Sequence, residues 1–297
     1  MNAAHRPPSV ARMFFAGSVL LLSLVAQDLR PAGACSCIVG LREGFLFPSS
    51  GELPANARGL LWWTGGRHVR AGDDAALGVR FRVEQLDGEG AVERAFDRVW
   101  IEDGLVLIAL RSPPPPRSRF RFRGQRGEMP AVQLEGCIES CRKVELRFAA
   151  EPLAAPSQAP ALELGAQRFG ELRVRAGGSC SVHLYARQQP LRMRLPPGLE
   201  RWRQALLFRT LVDDKSWKPA HSICEPVPPG RSWAGPGRDL LYTGCPRDPA
   251  EMGGVRLITL GDSGLEPGAH AVRMRAELPG TEIAFEASAA IELRCRP

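Results

Sequence analysis

Residues 117–126 read RSRFRFRGQR, and this stretch decides the fold class because its hydrophobic residues recur at every second position. Phe120 and Phe122 alternate with arginines, which is the pattern of a β-strand with one buried and one solvated face. The same period of two returns in residues 79–83 and 144–148, and turn residues separate these segments. Repeated short strands with frequent turn signals predict a β-sandwich.

The second half of the chain repeats this pattern. Hydrophobic residues again alternate with polar ones between residues 168 and 297, after a stretch rich in proline and alanine. Such a stretch is typical of a semi-extended connection. The sequence therefore predicts an all-β protein with two disulfide-braced β-sandwich domains in tandem, residues 35–150 and 168–297, joined by a linker at 151–167.

The first predicted sandwich also carries short phrases of a known kind. Residues 46–48 read LFP, Gly51 follows, and residues 54–58 read PANAR before an apolar strand. Further on, GLVL at 104–107 precedes a proline-rich turn and RFRF at 119–122. These phrases resemble bacterial Ig-like domains of the S-layer (SbsA) type. The resemblance implies an Ig-like spacer or adhesion module with no catalytic residues to carry over.

The N-terminus has the features of an export signal. An apolar run at residues 13–26 follows two arginines, and the small residues Ala-Gly-Ala at 32–34 suit a cleavage site. We expect residues 1–34 to be a signal peptide and the protein to be secreted, periplasmic or on the cell surface. Cleavage after Ala26, an uncleaved anchor, and a lipoprotein anchored at Cys35 are the alternatives.

Export changes how the cysteines are interpreted, because an oxidising compartment favours disulfides over zinc sites. The eight cysteines fall into two sets of four: Cys35, Cys37, Cys137 and Cys141, then Cys180, Cys224, Cys245 and Cys295. We expect the first set to pair internally, which would join the mature N-terminus to the end of the first sandwich. In the second set we favour Cys180–Cys295 and Cys224–Cys245, although spacing alone leaves three connectivities open.

The net charge of +7 comes almost entirely from arginine and does not by itself indicate nucleic acid. We expect an extracellular or envelope protein or a polysaccharide as partner, and a membrane only if Cys35 is lipidated. No metal, cofactor or phosphate-binding motif is recognisable. Five arginines are predicted on one outer strand face, where a solvated surface is favoured over an anion-binding stripe: Arg117, Arg119, Arg121, Arg123 and Arg126.

A long loop-rich stretch at residues 213–238 holds the candidate binding residues. They are Trp217, His221, Arg231, Trp233 and Arg238. Loop tryptophans beside arginines suit a stacking platform for sugar or peptide. The alternative is that the tryptophans pack the loop onto the sandwich.

Two other functions have weaker sequence support. The phrase GDSG at 261–264, with His221 and Asp239 before it, resembles the serine-protease pattern, and a secreted hydrolase would use Ser263. The second sandwich is too short for that fold, so a β-turn is favoured. The Cys-Ser-Cys at 35–37 resembles the start of metalloprotease inhibitors. The sequence thus favours a non-catalytic binding, adhesion or scaffolding protein.

Overall fold

The computed structural model describes residues 43–48, 50–65, 69–88, 90–126, 142–175, 181–217, 235–245 and 264–295. The regular secondary structure of the described chain is almost wholly β-strand, as the period of two predicts. Its helices are single turns, namely α1 (Asp74–Leu77), α2 (Pro197–Glu200) and a 3-10 turn at Arg203–Ala205. The strands form four sheets, two from each half of the chain.

The first half forms a sandwich of two mainly antiparallel sheets. Its strands are β1 (Gly44–Phe45), β2 (Ser50–Leu53), β3 (Gly59–Trp63), β4 (Val79–Asp87), β5 (Gly90–Glu93), β6 (Phe96–Glu102), β7 (Leu105–Leu110), β8 (Arg119–Arg126) and β9 (Lys143–Phe148). One sheet has the order β1-β3-β7-β6 and the other β2-β9-β8-β4-β5. These orders match the ABED and GFCC′ sheets of an immunoglobulin sandwich, with β2 added in parallel beside β9. The first domain is therefore Ig-like by its own strand order.

Aromatic side chains fill the space between these two sheets. Trp62 on β3 packs edge-on against Phe45 at 5.0 Å and Phe81 at 5.1 Å between ring centroids. Facing it on β8 is Gly124, where a Cβ atom would lie 2.3 Å from the Trp62 ring. In antibody domains a disulfide joins these two strands. Here a tryptophan over a glycine makes the contact between the sheets.

The second half forms another sandwich. Its strands are β10 (Ala161–Leu164), β11 (Arg168–Arg175), β12 (Ser181–Arg194), β13 (Leu207–Val212), β14 (Lys215–Ser216), β15 (Arg238–Gly244), β16 (Gly268–Glu277) and β17 (Ala284–Leu293). Strands β10 and β11 follow one another along one edge of β12, and β15 pairs with its other edge. The facing sheet has the order β14-β13-β16-β17.

A disulfide joins the two sheets of the second sandwich. It links Cys245, directly after β15, to Cys295, two residues beyond β17. The favoured pairs Cys180–Cys295 and Cys224–Cys245 are therefore wrong, because the ends of these two strands meet in the fold. The cysteines at 35, 37, 137, 141, 180 and 224 lie outside the described residues.

The ends of the proline- and alanine-rich stretch belong to the two sandwiches. At its start, Leu153 is buried, and the side chain of Asn56 forms two 2.9 Å hydrogen bonds with its backbone. At its other end, residues 161–164 form β10. The stretch that only connects the two sandwiches is therefore 154–160, shorter than the predicted linker at 151–167.

The two sandwiches also share an apolar contact. Four side chains from β3 and β7 form one buried cluster with Leu207 of β13: Leu61, Trp63, Leu105 and Leu107. In the turn between β16 and β17, a Cβ atom at Gly280 would lie 2.7 Å from Leu107. All described residues accordingly belong to one compact unit, residues 37–297.

The predicted arginine face is correct in part. Arg119, Arg121 and Arg123 share the outer face of β8, since the residues between them are buried. Arg126 has the opposite parity, and its guanidinium lies 3.8 Å from the buried carboxylate of Glu43. Arg117 precedes the strand with a positive φ of 60°. Placing these last two on the outer face was wrong, because Arg117 lies before the strand begins and Arg126, at an even position, falls on the opposite face of the strand.

Candidate binding groove

An open groove of about 780 Å³ lies on the sheet formed by β10, β11, β12 and β15. We call it the arginine groove. Its lining residues are Glu163, Leu164, Gly165, Arg168, Pro190, Leu191, Arg192, Arg238, Asp239 and Leu240. They come from β12 and from the strands on its two edges, β10 and β11 on one side and β15 on the other. The register of these strands therefore determines which side chains face one another.

Strand register brings a charged row across the arginine groove. Arg192 on β12 lies directly opposite Glu163 on β10 and directly opposite Arg238 on β15. Because residues directly opposite share a face, all three side chains lie on the same side of the sheet. Like charges directly opposite destabilise a sheet. Carboxylates offset part of this repulsion, since Glu163 lies opposite Arg192 in the same row and Glu200 lies 3.9 Å from Arg192.

Neighbouring side chains enlarge this positive region. Arg194 lies 3.5 Å from Glu163, and Arg192 lies 3.9 Å from Glu200 at the end of α2. A hydrogen bond from Arg203, with the charges of Arg203, Arg192 and Arg238, holds the pKa of Glu200 below its ordinary value. Arg192 and Arg238 thus add positive charge beside Glu200, whose main partner is Arg203.

The floor between these charges is apolar. Pro190 and Leu240 are directly opposite each other, on the same face as Arg192 and Arg238. At the other end, the Arg168 guanidinium donates to Gln188 at 3.1 Å and is held in place there. The groove therefore combines guanidinium donors, a carboxylate acceptor and an apolar surface.

Two predicted binding residues lie in the described structure. Arg238 lines the arginine groove. Trp217 is partly buried: its indole N–H donates to the carbonyl oxygen of Leu240 at 3.2 Å, and its ring packs 5.3 Å from that of Tyr242. Trp217 therefore packs against the sandwich, which is the alternative that we gave to a stacking platform. His221, Arg231 and Trp233 lie outside the described residues.

Sequence reasoning did not select Glu163, Arg168 or Arg192. Alternating arginines at residues 192 and 194 indicate a polar strand face. Nothing in that pattern says that this face meets Arg238, because the pairing joins segments far apart in the chain.

Two residues of the hydrolase hypothesis, Asp239 and Gly264, lie in the described structure. Asp239 is buried, its carboxylate accepts the N–H of Leu240, and it lies on the opposite face of β15 from Arg238. Gly264 has a positive φ of 79°, and a Cβ there would lie 2.3 Å from the Tyr242 carbonyl oxygen. The glycine that ends the GDSG phrase is thus required by the backbone. His221 and Ser263 lie outside the described residues.

Within the described ranges, no cluster of histidine, cysteine or carboxylate side chains has an arrangement that would hold a metal ion. The described helices are all far too short to cross a membrane.

Comparison with known proteins identifies no family: no protein-family model and no curated protein matches the chain. A solved biofilm-associated protein, BSP domain, aligns with 84% of this chain and 30% of its own, at 8% identity and a TM-score of 0.21. A DUF3823 family protein from Bacteroides uniformis aligns over 82% of this chain and 98% of its own, at 11% identity and a TM-score of 0.20. A titin tandem aligns over 82% and 95%, at 7% identity and a TM-score of 0.17.

This chain thus spans less than a third of the biofilm-associated chain. Superpositions with such TM-scores assign neither fold nor function. Of the predicted resemblance of residues 45–150 to S-layer Ig-like domains, only the Ig-like fold is confirmed, and it follows from the pairing of the strands themselves. No family model supports the S-layer type.

Proposed function

We propose that this protein is a non-catalytic, exported binding protein that holds an acidic polysaccharide of the cell envelope or its surroundings in the arginine groove. The observation that carries the proposal is the cross-strand pair Arg192–Arg238. A sheet that keeps two guanidinium groups directly opposite each other gains from an anion placed between them.

The other groove residues suit a sugar chain that carries carboxylates. Arginine binds a carboxylate through two parallel hydrogen bonds. Glu163 offers acceptor oxygens for sugar hydroxyl groups, and the half-buried Pro190 offers an apolar surface for the C–H face of a ring. A neutral polysaccharide would bring no charged group to these guanidinium groups.

The proposed export rests on the apolar run at residues 13–26 and the small-residue site before Cys35. Mass spectrometry of the protein recovered from outside the cytoplasm tests it. A chain beginning at Cys35, with or without an acyl group, supports export. An intact chain beginning at Met1 in the cytoplasm contradicts it.

Binding is tested with an acidic and a neutral polysaccharide, for example alginate against dextran. We expect saturable binding of alginate that weakens as salt rises. The double variant Arg192→Ala/Arg238→Ala should bind at least tenfold more weakly. The control Arg98→Ala/Arg111→Ala removes the same charge from surface ion pairs of the first sandwich and should bind within twofold of the wild type. Equal losses in both variants would mean that net charge, not the groove, is responsible.

A further inference from the structure

A second cluster of basic residues lies on the outer face of the first sandwich, on the sheet β2-β9-β8-β4-β5. Glu84 of β4 is its centre: the side chain is only 7% exposed although it is charged. Three arginines converge on its carboxylate, Arg82 at 3.2 Å, Arg121 at 3.4 Å and Arg123 at 3.9 Å. One buried negative charge thus holds three positive ones in place.

The register of the sheet then adds a row of like charges. Arg82 on β4 is directly opposite Arg123 on β8, which is directly opposite Lys143 on β9. Neighbouring strands lie about 4.8 Å apart, so three cations span roughly 10 Å on one face. Their side chains are 56%, 44% and 52% exposed, so the row is open to solvent.

The carboxylates around the row do not balance it. Arg121 is shared between Glu84 and Glu145, and Lys143 also lies 3.1 Å from Glu145. Glu93, on the edge strand β5, approaches Arg82 at 3.6 Å. Arg123, the central member, has only the 3.9 Å approach to Glu84 among the ion pairs of the described residues. An excess of positive charge therefore remains at the middle of the row.

We propose that Arg82, Arg123 and Lys143 form an anion site for a phosphate or sulfate group. A tetrahedral anion with two charges and three or four acceptor oxygens can accept from donors on neighbouring strands at the same time, whereas a carboxylate has one charge and two oxygens. The carboxylate of Glu84 acts beneath the site as a positioning residue, because it restricts the two arginines before the anion arrives. This site is separate from the arginine groove and does not depend on the function proposed for it.

The test is a calorimetric titration of the full mature chain with inorganic phosphate and with sulfate. Sodium chloride at equal ionic strength is the control. We expect saturable binding of the two divalent anions only. Arg82→Gln/Arg123→Gln should weaken it at least tenfold, and the control Arg98→Gln/Arg111→Gln should change it less than twofold. NMR signals of the arginine Nε–H groups give a second measurement that needs no variant, since those of Arg82 and Arg123 should shift on titration.

Vesicles containing phosphatidic acid in phosphatidylcholine distinguish two sources of the phosphate group. Co-sedimentation that depends on Arg82 and Arg123 assigns a lipid headgroup, and phosphate binding without co-sedimentation assigns a soluble phosphate. The proposal is overturned if chloride produces the same heat, if both double variants lose binding equally, or if the Arg82 and Arg123 signals do not move.

Discussion

The indole ring of Trp62 occupies the space that any side chain at position 124 would need: a Cβ atom on Gly124 would lie 2.3 Å from its Cζ3 atom. Trp62 is buried on β3 and Gly124 on β8, so this contact joins the two sheets of the Ig-like domain. The glycine at this position is thus a packing requirement, since no positive φ is involved.

Gly124→Ala should therefore destabilise the protein. The added methyl group forces the Trp62 ring or the strand to move, and overpacking of this kind costs roughly 1–3 kcal/mol. Urea unfolding followed by tryptophan fluorescence measures the loss. Gly170→Ala on β11 is the matched control, because a Cβ there has open space around it. It should be neutral or stabilising by up to about 1 kcal/mol. Equal destabilisation by both substitutions would contradict the packing argument.

How far the sequence predicts this fold depends on whether a feature is local. The alternation around Phe120 and Phe122 correctly predicts a strand and its buried face, because side chains alternate within one strand. The Arg192–Arg238 pair could not be predicted in the same way. It depends on the register between strands 46 positions apart, which hydrophobic alternation does not specify.

Leu207→Ala tests whether the two sandwiches depend on each other. Leu207 belongs to the second sandwich but is buried against β3 and β7 of the first, so its truncation leaves a cavity between them. We expect a loss of about 2–5 kcal/mol in the free energy of unfolding. Because the contact couples the halves, separate fluorescence and circular-dichroism transitions should appear in the variant.

Leu164→Ala is the control for this experiment. The same atoms are removed, but Leu164 is 42% exposed, and surface substitutions change stability by about 0.5 kcal/mol or less. If Leu207→Ala is as mild as the control, the apolar contact does not hold the two sandwiches together.

The Cys245–Cys295 disulfide gives a direct prediction for peptide mapping without reduction. A digest should contain a peptide pair joined through these two cysteines, and none joining Cys180 to Cys295. The bond closes a loop across a sequence separation of 50 residues. The chain-entropy model puts the stabilisation from such a loop at about 4 kcal/mol, so Cys245→Ala/Cys295→Ala should unfold at clearly lower urea concentration.

His270 and Asp213 form a charged pair whose geometry determines the protonation of the histidine. The Nδ1 atom lies 2.7 Å from the Asp213 carboxylate, and Nε2 lies 2.8 Å from the carbonyl oxygen of Glu266. Both partners are acceptors, so both ring nitrogens must donate, which only the protonated imidazolium can do. The N–H of Ala271 donates to the second oxygen of Asp213 at 2.9 Å.

These contacts predict a pH-dependent stability. Burial lowers the pKa of His270, but the hydrogen bonds to Asp213 and to the Glu266 carbonyl outweigh it, so the pKa lies above the ordinary 6.5. The pKa of Asp213 lies below its ordinary 3.8. The hydrogen bond with His270 lowers it most, and the hydrogen bond from the Ala271 N–H is the next contribution. A raised histidine pKa contributes stability that is complete below 6.5 and lost as the pH rises through the folded value. A lowered aspartate pKa contributes stability that is present above 3.8 and lost as the pH falls through its folded value.

The difference in unfolding free energy between the wild type and His270→Asn should therefore be largest between about pH 4 and 6.5 and should shrink at higher pH. Asparagine keeps one donor toward Asp213 but does not titrate, so the comparison removes the contributions of the other histidines. Urea unfolding at closely spaced pH values from 3 to 9 measures the difference. Asp214→Asn is the control, because Asp214 pairs with Arg273 and its loss should leave the alkaline part of the curve unchanged. A difference that stays constant from pH 6 to 9 would show that the imidazolium is not what holds this turn.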